Sequence, residues 1–239
     1  VGVVEVPDER LQKLTELVKP KKTVPTTFEF TDIAGIVKGA SRGEGLGNKF
    51  LSHIRQVDAI CQVVRCFEDE NITHVAGKVD PIADIETINL ELVLADLESV
   101  DKRIARVAKI AKTKDKDAVA ELAVLEKIKP VLEDGQLART IEFTDEELPI
   151  VKSLFLLTTK PMLYIANISE DDVAEGGHNQ YVQLVEEYAA KEDAEVVVIC
   201  ARVEEEVAEL EEEEKQVFLE ELGIETSGLD ILIQKDRKS

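Results

Sequence analysis

Apolar residues along the chain follow two rhythms, and each predicts a different element. Short runs of crowded apolar and β-branched residues read as buried strands: Gly2 to Val6, Thr27 to Thr31, Ala59 to Phe67, Pro161 to Asn167 and Val196 to Cys200. Between them, apolar residues recur every three or four positions, the period of an amphipathic helix. Asp8 suits the N-cap of the first such helix, followed by Leu11, Leu14, Leu17 and Val18; Leu46, Phe50 and Ile54 repeat the pattern. Strands alternating with helices predict βαβ units around a mainly parallel sheet.

The middle of the chain changes rhythm. From Asn89 to Gly135 strand signals vanish. Leu90, Leu94, Leu97, Ile104, Val107 and Ala111 keep helical spacing, a charged break spans Lys112 to Asp117, and Ala118, Leu122, Leu125, Ile128 and Leu132 resume the spacing before Gly135. The apolar stripe is narrow and charge fills the rest. That predicts an antiparallel helical hairpin, coiled-coil-like, projecting from the α/β domain rather than lying on its sheet. Glu204 to Glu214, the densest acidic run, reads as a solvated helix face carrying Val207 and Leu210.

Charge narrows the partners. The 239 residues carry a net charge of -21 and a pI near 4.6, so overall charge does not draw the chain to nucleic acid. A local basic stretch on the hairpin (Lys102, Arg103, Arg106, Lys109, Lys112, Lys114, Lys116) is the exception. With no Trp, an aromatic platform for single strands is not expected. Cys61, Cys66 and Cys200 form no CxxC, which argues against structural zinc and fits reduced thiols. No apolar run reaches the roughly 18 residues of a membrane span, and Val1 to Val6 lack the basic start of a signal peptide. A cytoplasmic protein is expected.

Three short patterns carry candidate chemistry, each at the end of an expected strand. Asp32-Ile33-Ala34-Gly35 follows the strand ending at Thr31. A DxxG there is the logic of P-loop NTPases: the Asp holds Mg²⁺ through its water shell, and the Gly offers a bare backbone N–H to the γ-phosphate. Gly39, Gly43, Gly45 and Gly47 follow in a run that suits a switch loop and misses the GxGxxG spacing. Asn167-Ile168-Ser169-Glu170 stands where GTPases place NKxD. Ile in place of Lys and Glu in place of Asp remove the guanine clamp, while Asn167 keeps an amide for a base edge. Cys200-Ala201, after the last strand, matches the position where GTPases approach the base with Ser-Ala.

The string from Asp32 to Ser41, continued by Gly43-Glu44-Gly45-Leu46-Gly47-Asn48, resembles the signature of the YchF (Obg-like ATPase) family. Val64 to Glu68, His74 to Val79, Ala120 to Lys127 and Tyr164 to Asn167 are similar to that family too, so the likeness runs over essentially the whole chain. The resemblance implies a translation-factor-class P-loop fold that prefers ATP to GTP and acts with ribosomes. It implies a first part of the G domain at 1–88, a coiled-coil insertion at 89–136, a second part at 137–227 and a segment at 228–239 toward a C-terminal TGS domain. The family's Walker A loop is expected ahead of Val1, with roughly 40 residues for strand, loop and helix. By themselves the 239 residues are therefore expected not to bind or hydrolyse ATP.

Where Ras-like enzymes carry a water-orienting Gln directly after DxxG, this chain has Ile36, which cannot bond water. The resemblance supplies His74 as the replacement. The expected site set is thus Gly35, Ile36 and His74 for catalysis, Asp32 for Mg²⁺, and Asn167, Ile168, Glu170 and Ala201 for the nucleotide base. The basic hairpin is a candidate for ribosomal RNA. Two other readings stay open: a non-catalytic interaction module using the hairpin as a docking arm, and a GTPase of the Obg type.

Overall fold

The computed structural model describes residues 2–6, 9–32, 51, 53–69, 78–222, 224, 227, 228 and 231. Gly35, Ile36 and His74 lie outside the described residues.

The first two strands, β1 (Gly2–Glu5) and β2 (Thr27–Phe30), pair antiparallel, with Gly2 opposite Phe30. Helix α1 (Glu9–Val18) connects them. The apolar face read in α1 is largely open: Leu14, Leu17 and Val18 are all exposed. Three further strands form a separate parallel sheet in the order β3 (Ile60–Arg65), β4 (Met162–Asn167), β5 (Glu195–Ile199). Its register sets Arg65 beside Asn167 and Asn167 beside Ile199, so the three strand ends fall in line. The parallel core was legible in the β-branched runs; the antiparallel pairing of β1 with β2 was not.

Helix α2 (Pro81–Ala111) begins eight positions before Asn89, where Asp80 accepts from the Ala83 N–H at 3.1 Å and Pro81 takes a first-turn position whose N–H would have no partner. Helix α3 (Lys116–Glu133) is capped by Asp115, which accepts from the Ala118 N–H at 2.9 Å. Lys114 has φ 62° in the turn between them. Lys129 reaches back to Asp101 at 2.7 Å and Arg103 pairs with Glu121, contacts that only antiparallel helices allow.

The two halves of α2 serve different cores. Ile85, Leu92 and Ala95 join Met162, Tyr164 and Ala166 of β4 in the main core. Val100 and Val107 join Val124, Leu125, Ile128 and Leu132 of α3 in a second core, which Val151 of α4 (Leu148–Ser153) completes. The helix is thus rooted on the sheet and extends into the hairpin.

Beyond β4 come α5 (Glu170–Ala174) and α6 (Gln180–Lys191), then β5, α7 (Ala201–Glu209) and α8 (Glu212–Glu221). The acidic run read as one helix face is split, because α7 ends before Leu210 and α8 starts after Glu211. A polar knot ties α2 to β4 and α6. Asn89 Nδ2 donates to Tyr188 Oη at 3.2 Å, Tyr164 Oη donates to Glu192 at 2.8 Å, and Arg139 pairs with the same carboxylate. Among the described residues no helix is long and apolar enough to cross a membrane.

Candidate nucleotide-binding site

The C-terminal edge of a parallel sheet is where loops and helix N-termini converge, and open α/β folds bind ligands there. Asn167, the last residue of β4, knits that edge together. Its backbone carbonyl accepts from the Cys66 N–H at 2.8 Å, joining β4 to the end of β3. Its side-chain Oδ1 accepts from the Ala201 N–H at 2.9 Å, joining β4 to the start of α7 after β5. Among the described residues Nδ2 has no partner, so the amide remains available to donate to a ligand.

Ser169 starts the helix that follows. Its hydroxyl accepts from the Asp172 N–H at 3.2 Å, and the Asp172 carboxylate accepts from the Ser169 N–H and hydroxyl, a reciprocal capping box. This places Glu170 in the first helical position. Its carboxylate pairs with Arg202 at 3.1 Å, with Arg202 73% and Glu170 44% exposed. An ion pair this exposed contributes little to stability, but it orients the carboxylate. Asn167 with Ala201 and Glu170 with Arg202 therefore bridge the same two loops twice.

Ile168 behaves differently from the Lys it replaces. Its side chain is only 4% exposed and belongs to the main core. Its N–H donates to the Ile199 carbonyl at 2.8 Å, extending the β4–β5 ladder by one step. Of the residues expected to line the base, Asn167, Glu170 and Ala201 come together at the sheet edge. Ile168 packs beneath it. Asp32 is exposed two residues beyond β2.

The loop leaving β3 is tethered to α6. Asn179 Nδ2 donates to the Cys66 carbonyl at 2.7 Å, while Asn179 Oδ1 accepts from the Tyr181 and Val182 N–H groups at 3.0 Å each. Tyr181 Oη bonds the Glu68 carboxylate. Arg65 stacks on the Phe67 ring at 4.8 Å and donates to the Phe67 carbonyl. Burial, then the nearby Asp172 charge, pushes the Cys66 thiol up to about 12, so it is a packed thiol and not a nucleophile. Arg202 and Asn179 escaped the sequence reading. Neither belongs to a short motif, and Arg202 meets Glu170 only because two crossovers bring the loops together.

A family model described as a 50S ribosome-binding GTPase matches residues 9–127. The ribosome-binding ATPase YchF of Bacillus subtilis is 70% identical over 98% of the chain, and that of Haemophilus influenzae is 55% identical over 98%. The chain spans 64% and 63% of those two relatives, respectively. The solved structure of the Schizosaccharomyces pombe YchF GTPase superposes with a TM-score of 0.85 at 38% identity, covering 99% of the chain and 64% of that structure. Identity this high over nearly the whole chain, with a P-loop GTPase fold whose strand ends converge on Asn167, means that the chain belongs to the YchF family.

Proposed function

We propose that this chain is the nucleotide-binding core of a regulatory P-loop ATPase of the cytoplasm, whose nucleotide state controls its attachment to ribosomes. The observation that carries the reading is the double bridge of Asn167 to Ala201 and Glu170 to Arg202 at the sheet edge. It ties together the two loops that hold the base in such folds, and it leaves Asn167 Nδ2 without a partner among the described residues. An amide donor suits N7 of either purine, so Asn167 by itself does not choose between them. The choice falls to Glu170, whose carboxylate is engaged by Arg202 rather than held free for the N1–H and N2 amine of guanine. The relatives' names differ on this point, ATPase in the bacteria and GTPase in the yeast structure.

Mg²⁺ fits the residues present. Among the described residues no cluster of three or more His, Cys, Asp or Glu forms a metal cage. A nucleotide-bound Mg²⁺ takes one or two carboxylates together with phosphate oxygens, and Asp32 supplies a hard oxygen ligand of that kind. When bound, the ion neutralises charge developing on the phosphates. Gly35 would offer its N–H to the γ-phosphate. Ile36 excludes the usual water-orienting amide, and His74 would take over as acceptor for the attacking water.

The hairpin tip is the ribosome-facing arm. Arg106, Lys109, Lys112, Lys114 and Lys116 are all exposed there, on a chain whose net charge is -21. Such a local patch suits ribosomal RNA phosphates, with affinity that falls as salt rises. Competition of ATP and GTP for the full-length protein tests the base reading, and ATP is expected to win. Ribosome pelleting at low salt with the five tip residues changed to Glu tests the arm. GTP binding more tightly than ATP would sink the first; unchanged pelleting would sink the second.

A further inference from the structure

Arg55 closes a helical turn with its N–H on the Leu51 carbonyl at 3.2 Å, and Leu51 and Ile54 are buried in the main core. In sequence this turn comes directly after the DxxG and the glycine-rich run that ends at Asn48. The Arg55 side chain does not point to solvent. Nη1 donates to the Phe155 carbonyl at 2.9 Å, Nη2 donates to Ser99 Oγ at 3.0 Å, and Nη1 lies 3.5 Å from Asp96 Oδ1. Asp96 and Ser99 belong to α2; Phe155 belongs to the loop that precedes β4 and has φ 51°. A planar guanidinium can address three acceptors on two elements at once, which a Lys ammonium on a flexible stem does less well.

The receiving side is rigid. Asp96 is 0% exposed, and its carboxylate accepts from the Leu157 N–H at 2.9 Å, the Thr158 N–H at 2.7 Å and the Thr158 hydroxyl at 2.7 Å. Lys160 donates to the Val57 carbonyl at 2.6 Å and pins the same turn from the other side. Asp96 sits at the midpoint of α2, whose interior holds neither Gly nor Pro. About 22 Å of helix separate it from each end at roughly 1.5 Å per residue. A shift of about 1 Å at Asp96, pivoting on the Pro81 end, becomes about 2 Å at Ala111.

We infer that the Arg55–Asp96 clamp couples the turn following the DxxG stretch to the middle of α2, so that the hairpin tip changes orientation with the nucleotide bound. The inference rests on the nucleotide-site reading above and adds the mechanical link from that site to the arm. Arg55 and Ser99 touch neither nucleotide nor partner in this scheme; they act by holding α2 against the turn.

The test is pulsed electron paramagnetic resonance on the full-length protein, with Cys61→Ser and nitroxide labels at Lys109→Cys on the tip and Lys191→Cys at the end of α6. Distances are compared with a non-hydrolysable ATP analogue and with ADP, in the otherwise wild-type protein and in Arg55→Gln and Ser99→Ala. The expected result is a nucleotide-dependent change in the wild-type distance that falls by at least about half in both variants, while nucleotide affinity stays within about twofold. Ser99→Ala removes one arm of the fork and leaves Asp96 paired, so it carries the test if Arg55→Gln melts early. Variants that keep the full change overturn the clamp and leave the nucleotide reading standing. A wild-type protein that binds nucleotide without any distance change overturns the clamp as well. A protein that binds no nucleotide overturns the proposed function and the clamp together.

Discussion

Removing the Asp96 carboxylate is expected to be among the most damaging single changes in this chain. Burial pushes the Asp96 carboxyl up, and the Leu157 and Thr158 amides, the Thr158 hydroxyl and Arg55 pull it back. In Asp96→Ala the two amides lose their acceptor inside a fully buried site. The Thr158 hydroxyl can rotate and find another. Each stranded buried donor costs about 1–3 kcal/mol, whereas Arg55, 28% exposed, can turn to water once the carboxylate is gone. The two stranded amides together put the estimate at about 3–5 kcal/mol in total. Arg55→Ala should cost only about 1 kcal/mol, because Arg55 is 28% exposed and Asp96 keeps three other donors. Asp96→Asn, which keeps one acceptor oxygen and turns an NH₂ toward a donor, should fall between. Urea unfolding followed by far-UV circular dichroism measures the order. At about 2–4 °C per kcal/mol for a chain of this size, thermal melting of Asp96→Ala should drop by roughly 6–20 °C. An Asp96→Ala cost below about 1 kcal/mol, or an Arg55→Ala cost equal to it, would show that the carboxylate does not hold the 155–158 loop.

The cysteines should separate by chemistry. Exposed Cys61 should react with iodoacetamide in the native protein at pH 8, while Cys66, at about 12 and 0% exposed, should be protected until denaturant is added; equal labelling by mass spectrometry would contradict the packing. Burial pushes the Tyr188 phenol up to about 12 and raises Tyr164 too, so both phenols bind their protons more tightly folded than unfolded. Their contribution to stability is complete below about pH 10 and is lost as pH rises from there through about 12; stability that stays flat across that window in urea titrations would refute the buried knot. Ile168→Lys should cost about 4 kcal/mol if the buried ammonium is depressed by about three units, so Glu170→Asp alone is the cleaner probe of base preference. Wild-type stability of Ile168→Lys in urea would mean that Ile168 is not a core residue.

The parallel sheet, the hairpin and the strand-end motifs were legible because their signals are local. Pro161 to Asn167 is crowded with apolar side chains since β4 is buried from Met162 to Ala166, and continuity of apolar residues reports that directly. Ala59 to Phe67 reads the same way, yet β3 buries Gln62 and Val64 and leaves Cys61 and Val63 exposed. Leu125, Ile128 and Leu132 repeat at helical spacing since one face of α3 is buried. Periodicity also marked Leu14, Leu17 and Val18 as a helix, yet it does not say what covers a face, and these side chains are exposed.

Ile168 marks the border between the two kinds of information. Its position in the NxxE motif is a matter of sequence, and so is the loss of the Lys that a guanine clamp needs. Its burial is decided by the ladder bond to Ile199 and by the core beneath the sheet edge. The same holds for Asn167 with Ala201, 34 positions apart, and for Arg55 with Asp96, 41 apart. A side chain's partner across the fold depends on strand order, register and the hand of the crossovers, and no short window of residues encodes these. The sequence by itself determined the elements, their order and the chemistry available at each strand end. Tertiary structure decided which of those groups meet, because a buried carboxylate or amide takes the donors that packing brings within about 3 Å, however far away they lie along the chain.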